Sequence, residues 1–390
     1  MPLLNEILRH FVNIRKPQRT FLTAFIATLF CYFGRATRTN IARQGGPSER
    51  AQARWEQRPL DFTALTLKAL EIEGVMDHPM AAVLDASFLA KSGEYTWGLG
   101  KFWNGCHSRV ETGLEISTLG LVDLKEGTAY ALDTRQTPAT QSEEESRMDT
   151  YLQQVLEKRH CLPKQVTHLL VDGGYTKRGF IDGVVNTGLH IVGKLRKDAD
   201  LWYRHTPVPE KRRGRPKKFD GKVWYDDLSR WEQCPDSETG DARWTQTLWH
   251  KSLHRDVKVV LIRYKPGQHA LLFSTDLTLG VDDICRMYKL RFQIEFLFRD
   301  GKQYTGLGES QMRSEEGQDF HINAALLALN LMRLEERRQG RKVYSLGSAK
   351  KRNYNEKVIR LIFNELGLNV ESPENQEVMR KVRSYGAMAA

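Results

Sequence analysis

"VTHLLVDGGYTKRGFIDGVVNTGLHIVGKLR", residues 166–196, runs from an apolar segment through a Gly-Gly turn and an amphipathic helix into a second apolar segment. Strand, turn, helix and strand in about 30 residues form a crossover unit, and Asp172 stands at the end of its first strand. Toward the N-terminus, "MAAVLDASFLA" (80–90) reads as a short apolar strand interrupted by Asp85. "GLEISTLGLVDL" (113–124) and "TAYALDTRQ" (128–136) add two strands joined by a Lys-Glu-Gly turn, and "SRMDTYLQQVLEKRH" (146–160) adds a helix. Three strands in a meander, a helix, a fourth strand, a helix and a fifth strand predict an α/β fold with a mixed sheet flanked by helices. In such a sheet the first and fourth strands can be neighbours, which would bring Asp85 and Asp172 to one edge.

The flanking regions differ in pattern. Residues 1–75 read as helical and strongly basic, as a DNA-docking module or a solvated cap. Residues 76–195 form the first part of the core, and 196–268, rich in Trp, Lys, Arg and alternating segments such as "KVVLIRY", read as a β-rich insertion. "ALLFSTD" (270–276) returns to the main sheet within a second core part, 269–315, and residues 316–390 are helical.

A net charge of +11 points to a polyanionic partner, nucleic acid or an acidic membrane surface, and the aromatics interspersed with the cations favour nucleic acid. The five cysteines are scattered, without a C-x-x-C pair, which argues against a disulfide framework or a zinc finger and for a reducing compartment. The apolar run "FLTAFIATLFCYFG" (21–34) is shorter than the roughly 17–25 residues of a spanning helix, so it is expected to be a core helix, with no membrane role.

An aspartate inside an apolar strand needs a partner, a metal or an edge, because a bare charge in a low-dielectric interior costs several kcal/mol. Two neighbouring carboxylates repel unless a cation lies between them, and a hard divalent ion with oxygen ligands is the natural resolution. "YKLRFQIEFLFRDGKQYTGLGESQMRS" (288–314) supplies a third acid. On a 3.6-residue helix Tyr288, Arg291, Glu295 and Lys302 share a stripe, with Met287, Leu290, Ile294 and Leu297 on one side and Phe292 and Phe296 walling the other. The bland alternative is an Arg291–Glu295 i,i+4 salt bridge. Asp300 is rotated too far around the helix to substitute for Glu295.

Asp85, Asp172 and Glu295, with Tyr288-x2-Arg291-x3-Glu295-x6-Lys302, resemble the DDE transposases of bacterial insertion sequences that carry a Tyr-Arg-Glu-Lys signature. The resemblance implies a ribonuclease-H-like core over roughly residues 80–315. It implies that Asp85, Asp172 and Glu295 hold two Mg²⁺ ions, Mn²⁺ substituting. Tyr288 and Arg291 would contact DNA phosphates beside the scissile bond, and Lys302 the transposon-end strand. The implied reaction is cut-and-paste movement by hydrolysis at the transposon ends and 3′-OH strand transfer, with DNA hairpins on the way. The implied partners are double-stranded DNA with terminal inverted repeats, target DNA and a second copy in a synaptic homodimer, in a bacterial cytoplasm at the nucleoid. Some hairpin-forming relatives place a tryptophan, which stacks on a flipped base, just before the strand leading into the third-acid helix; here that stretch is "GQHALLFSTD", leaving Trp224, Trp231, Trp244 or Trp249 as stand-ins. Two other readings stay open: a catalytically inactive DNA-binding derivative, and a nuclease that cuts without joining.

Two further basic features are candidates for DNA contact. Arg196 ends the fifth strand near the expected catalytic edge, to hold a phosphate or to be solvated at the surface. Arg213 and Arg215 lie in "EKRRGRPKK" (210–218), whose Arg-Gly-Arg-Pro core suits a narrow minor groove or a solvated basic loop.

Overall fold

The computed structural model describes residues 2–137, 146–206, 216–235, 240–264, 268–340 and 345–388. Five helices open the chain: α1 (Pro2–Arg9), α2 (Lys16–Leu29), α3 (Arg38–Arg43), α4 (Glu49–Trp55) and α5 (Phe62–Ile72). Four strands follow, β1 (Met80–Ala90), β2 (Gly100–Asn104), β3 (Arg109–Asp123) and β4 (Thr128–Gln136). Next come α6 (Arg147–Lys158), β5 (His168–Leu170), α7 (Arg178–Asn186) and β6 (His190–Leu195). A run of strands then extends through β7 (Leu201–Arg204), β8 (Phe219–Lys222), β9 (Glu232–Cys234), β10 (Ala242–His250), β11 (Arg255–Arg263) and β12 (His269–Ser274). The chain closes with α8 (Val281–Arg291), α9 (Gln293–Asp300), α10 (Glu315–Arg338), α11 (Leu346–Glu365) and α12 (Pro373–Arg383).

All twelve strands belong to one mixed sheet, ordered β2-β3-β1-β5-β6-β12-β11-β10-β7-β8, with β4 also on β3 and β9 also on β10. β1 is antiparallel to β3 and parallel to β5, and β5 is parallel to β6. The meander therefore feeds a crossover through α6, and α7 makes the next one, as parallel neighbours require. β2 is a short strand that the sequence reading did not anticipate; it pairs with the first residues of β3 while β4 pairs with the rest. The strands between β6 and β12 continue the same sheet, because β12 pairs with β6 on one side and β11 on the other.

Local chemistry explains the helix starts. Ser48 caps α4 and Asp61 caps α5, each side chain accepting from a backbone N–H three residues on, and Ser146 and Asp149 form a capping box on α6. α6 and α7 pack on each other beside β3 and β6. Ser117 bonds Gln154 of α6, and Thr118, on the opposite face by strand alternation, bonds Thr134. α8 packs across β12, β6 and β5, α9 across β4 and β1, and α10 across β4. α1, α2 and α5 join this core through α10 and β4, and the apolar segment expected to be a core helix is α2, with Phe21, Leu22, Phe25, Ile26 and Leu29 buried. Among the described residues no helix is long and apolar enough to cross a membrane.

Candidate active site

Register puts the two aspartates at one level. β1 and β5 pair through Ala82–Leu169 and Val83–Leu170, and Asp85 and Asp172 each lie two residues past the second pair. β5 ends at Leu170, and the chain turns away at Gly173–Tyr175, so Asp172 stands exposed at the strand's C-terminal end. Parallel sheets bind ligands at that end of their strands. Asp85 sits opposite Thr118 within β1, its side chain 18% exposed. One of its oxygens accepts from the Ala86 backbone N–H at 2.9 Å.

Helices α8 and α9 bring the remaining groups. Arg291, the last residue of α8, donates from Nη1 to Asp85 Oδ2 at 3.3 Å and from Nη2 to Glu295 Oε1 at 2.9 Å. Tyr288 Oη donates to Asp172 Oδ1 at 3.3 Å. Lys302 Nζ reaches Ser87 Oγ at 2.9 Å and the Phe88 carbonyl at 2.8 Å. Tyr288, Arg291 and Lys302 thus meet strand β1 or the end of β5, and Glu295 is joined to them through Arg291. The i,i+4 salt bridge also forms, but the same guanidinium carries it onward to Asp85. That long-range bond has no signature in local sequence.

Two details depart from the expected helix. It is interrupted: α8 gives way to α9 at Phe292, and Gly301–Thr305 forms a π turn that ends at Gly306 in the left-handed region, φ +73°. Lys302 is placed by that wider turn, a feature common at functional sites, and not by a 3.6-residue repeat. The phenylalanine wall is absent. Ile294 and Leu297 are buried, but Phe292 and Phe296 are 50% and 37% exposed and stack edge-on against each other, because only the face toward β1 and β4 is covered. The stripe opens to solvent on that side.

The electrostatics are unfinished. Burial pushes the Asp85 carboxyl up to about 6; Arg291 opposes this, while Glu295 and Asp172 add to it by like charge. Arg291 is 5% exposed, and its Nε has no hydrogen-bond partner. A buried unpaired donor costs about 1–3 kcal/mol. Behind the acids, Tyr175 is buried and its phenol is held well above its usual value by desolvation, then by Asp85.

Among the described residues no three acidic, histidine or cysteine side chains stand close enough to hold a metal ion. Arg291 occupies the bridging position between Asp85 and Glu295 that a cation would take. The donors are all carboxylate oxygens, a set suited to a hard divalent ion. The residues fit such an ion in chemistry, with the guanidinium as its stand-in.

Arg196 lies just past β6 and forks onto Asp198 at 3.0 and 3.2 Å, both side chains exposed. Arg213 and Arg215 lie outside the described residues. Of the four tryptophan stand-ins, Trp231 is buried, Trp244 and Trp249 are half-buried, and Trp224 is 69% exposed.

Comparison with known proteins adds an independent line. No curated protein matches the chain. Residues 81–331, running from the start of β1 into α10, match the family model described as the transposase DDE domain. That span covers well over half of the 390 residues and includes every group joined through Arg291, Tyr288 and Lys302. The chain belongs to the DDE transposase family.

Proposed function

We propose that this chain is a DNA transposase that cuts and joins the ends of its own element, using Asp85, Asp172 and Glu295 as its acidic triad. The observation that carries the reading is the level placement of Asp85 and Asp172 on adjacent parallel strands, with Glu295 tied to Asp85 by one guanidinium. The order β4-β3-β1-β5-β6, antiparallel through β1 and parallel beyond, supports a ribonuclease-H-like core over residues 76–195 and 269–315. Residues 1–75 are assigned to DNA docking and 196–268 to an insertion on that core.

The three carboxylates would hold two Mg²⁺ or Mn²⁺ ions. Bound there, the ions supply Lewis-acid stabilisation of the attacking and leaving oxygens of a phosphodiester. Arg291 keeps the acids together before DNA arrives. When a phosphate enters, the guanidinium turns its free Nε and one Nη toward it, since Arg recognises phosphate in a forked geometry. Tyr288 orients Asp172 and then donates to DNA, and Lys302, anchored on Ser87 and Phe88, offers a point charge to the transposon-end strand. Water attack frees a 3′-OH, which attacks a second phosphodiester, with a hairpin on the element end as the intermediate route. Joining two ends calls for a homodimer, and terminal inverted repeats supply equivalent sites to both copies.

The test uses duplexes carrying the sequences that flank the gene, with Mg²⁺. Asp85→Asn, Asp172→Asn and Glu295→Gln are expected to bind these duplexes as tightly as the wild type and to lose cleavage by at least about 10³-fold, the size of losing one key electrostatic group. Wild-type-like cleavage by any of the three would overturn the assignment. Pre-nicked ends with a free 3′-OH separate a transposase from a nuclease, because only a transposase gives joined product. Denaturing gels of end-labelled substrate read the hairpin.

A further inference from the structure

Strand β1 and the chain that follows α8 run side by side beyond the carboxylates. Asp85 meets Arg291, Ser87 meets Lys302, Leu89 lies against Gly308, and Lys91 donates to the Ser310 carbonyl. Residues 85, 87, 89 and 91 alternate onto one face, so a line of cations follows the strand away from the acids. The line opens into a cleft of about 720 Å³ between residues 90–96 and 308–313, with Arg35 on its rim. Tyr95 projects there 69% exposed, and the Arg313 guanidinium lies 5.5 Å from its ring centroid.

We propose that this cleft binds a single-stranded stretch of DNA leading out of the active site, with Tyr95 stacking on a base and Lys91, Arg313 and Arg35 taking phosphates. The proposal rests on the DNA-cutting reading above and adds a second binding site to it. Six residues of strand separate Asp85 from Lys91, about 20 Å. At about 3.4 Å per nucleotide along one strand, a phosphate on Lys91, in the cleft that Tyr95 also lines, lies about six nucleotides from the cut phosphate. The cleft is too small for a duplex and has the composition of a single-strand site, exposed aromatic plus cations.

Arg35 and Arg313 are exposed, and Lys91 is half-buried against the Ser310 carbonyl, its pKa lowered by burial to about 8. Among the described residues no carboxylate forms a salt bridge with Arg35, Lys91 or Arg313, whereas Arg38, Arg135 and Arg338 are all paired. Two acids line the same cleft. Glu309 is turned inward, accepting from the Ala36 N–H at 2.6 Å and Tyr32 Oη at 3.2 Å, and Glu94 is exposed. No apolar packing requires an exposed tyrosine at this position.

The experiment measures binding of the full chain to fluorescent duplexes by anisotropy, comparing blunt ends with single-stranded 3′ or 5′ extensions of 2–10 nucleotides. The wild type is expected to gain affinity as one extension reaches about six nucleotides. Tyr95→Ala is expected to lose that gain by about tenfold, Tyr95→Phe to keep it, and Arg313→Gln to lower the salt slope for the extended duplex by about 0.7, one single-strand phosphate. Blunt-duplex affinity is expected to stay unchanged in all three variants. No gain from either extension, or a gain that survives Tyr95→Ala and Arg313→Gln, overturns the proposal while leaving blunt binding and cleavage intact. Equal losses on blunt and extended DNA overturn the single-strand assignment. Failure of the wild type to bind any duplex overturns the parent reading along with this one.

Discussion

Arg291 and Arg333 are buried alike, 5% and 6% exposed, and each holds an aspartate. Arg333, on α10, donates to the Ala129 carbonyl at 2.6 Å and to Asp300 Oδ2 at 3.0 Å, and Asp300 takes Arg299 as well. Both members of that pair are buried, and the bonds tie α10 and α9 to β4. Arg291 instead has an idle Nε and spans two acids whose side chains are 18% and 38% exposed. One guanidinium closes a joint in the fold; the other holds repelling groups together at the edge of solvent. Equal burial of the arginines therefore does not mean equal role; the exposure of the acids they hold separates them.

Breaking the structural member should matter most. Arg333→Met leaves Asp300 Oδ2 buried without its partner, with only the exposed Arg299 on the other oxygen, and a loss of about 3–5 kcal/mol in urea unfolding is expected. A loss below 1 kcal/mol would remove the distinction. Next in size is His321 on the same helix, buried, with Nε2 donating to the Gly306 carbonyl at 2.8 Å where the π turn ends. Burial lowers its pKa to about 4 from 6.5. The unfolded chain takes up this proton near 6.5 and the folded one only near 4, so the contribution is complete above pH 6.5 and is lost as pH falls toward 4. Wild-type stability is expected to drop by about 2–3 kcal/mol more than that of His321→Gln between pH 7 and pH 4.5. Parallel curves would refute this.

Arg291→Gln comes third, at about 1–2 kcal/mol, because Asp85 and Glu295 can recover water that Asp300 cannot reach. A cost equal to that of Arg333→Met would put both arginines in the same class. The smallest effect is expected for Asp85→Asn, within about 1 kcal/mol of wild type or stabilising, as when a site group set against its neighbours is neutralised. Thermal unfolding reads this directly, and a drop of several degrees would mark Asp85 as structural.

Sequence pattern revealed much of this architecture, for identifiable reasons. Strands β1 and β4 are apolar runs closed by turns, and their limits agree with the expected segments to the residue. The Gly-Gly turn after Asp172 marks the end of β5, and strand order then follows from connection rules. β2 escaped notice because "GKFWN" is short, shows no alternation of polar and apolar residues, and is held only at an edge. The interruption at Phe292 carries no Gly or Pro to announce it. Alternation shows that residues 242–263 form strands but not what they pair with, so the continuous sheet emerges only from the register of β12. The offset between Arg291 and Glu295 was visible; the bond to Asp85, 206 positions away, was not.

The register of β6 on β12 has one more consequence. Leu195 pairs with Leu271, so the chain leaves and re-enters the acid-bearing half of the sheet at neighbouring points. Lengthening or shortening an excursion with adjacent ends adds mainly closure entropy, about 0.6 kcal/mol per doubling. The excursion can therefore change in length while the strands that carry Asp85 and Asp172 keep their pairing, a natural seam in the sheet.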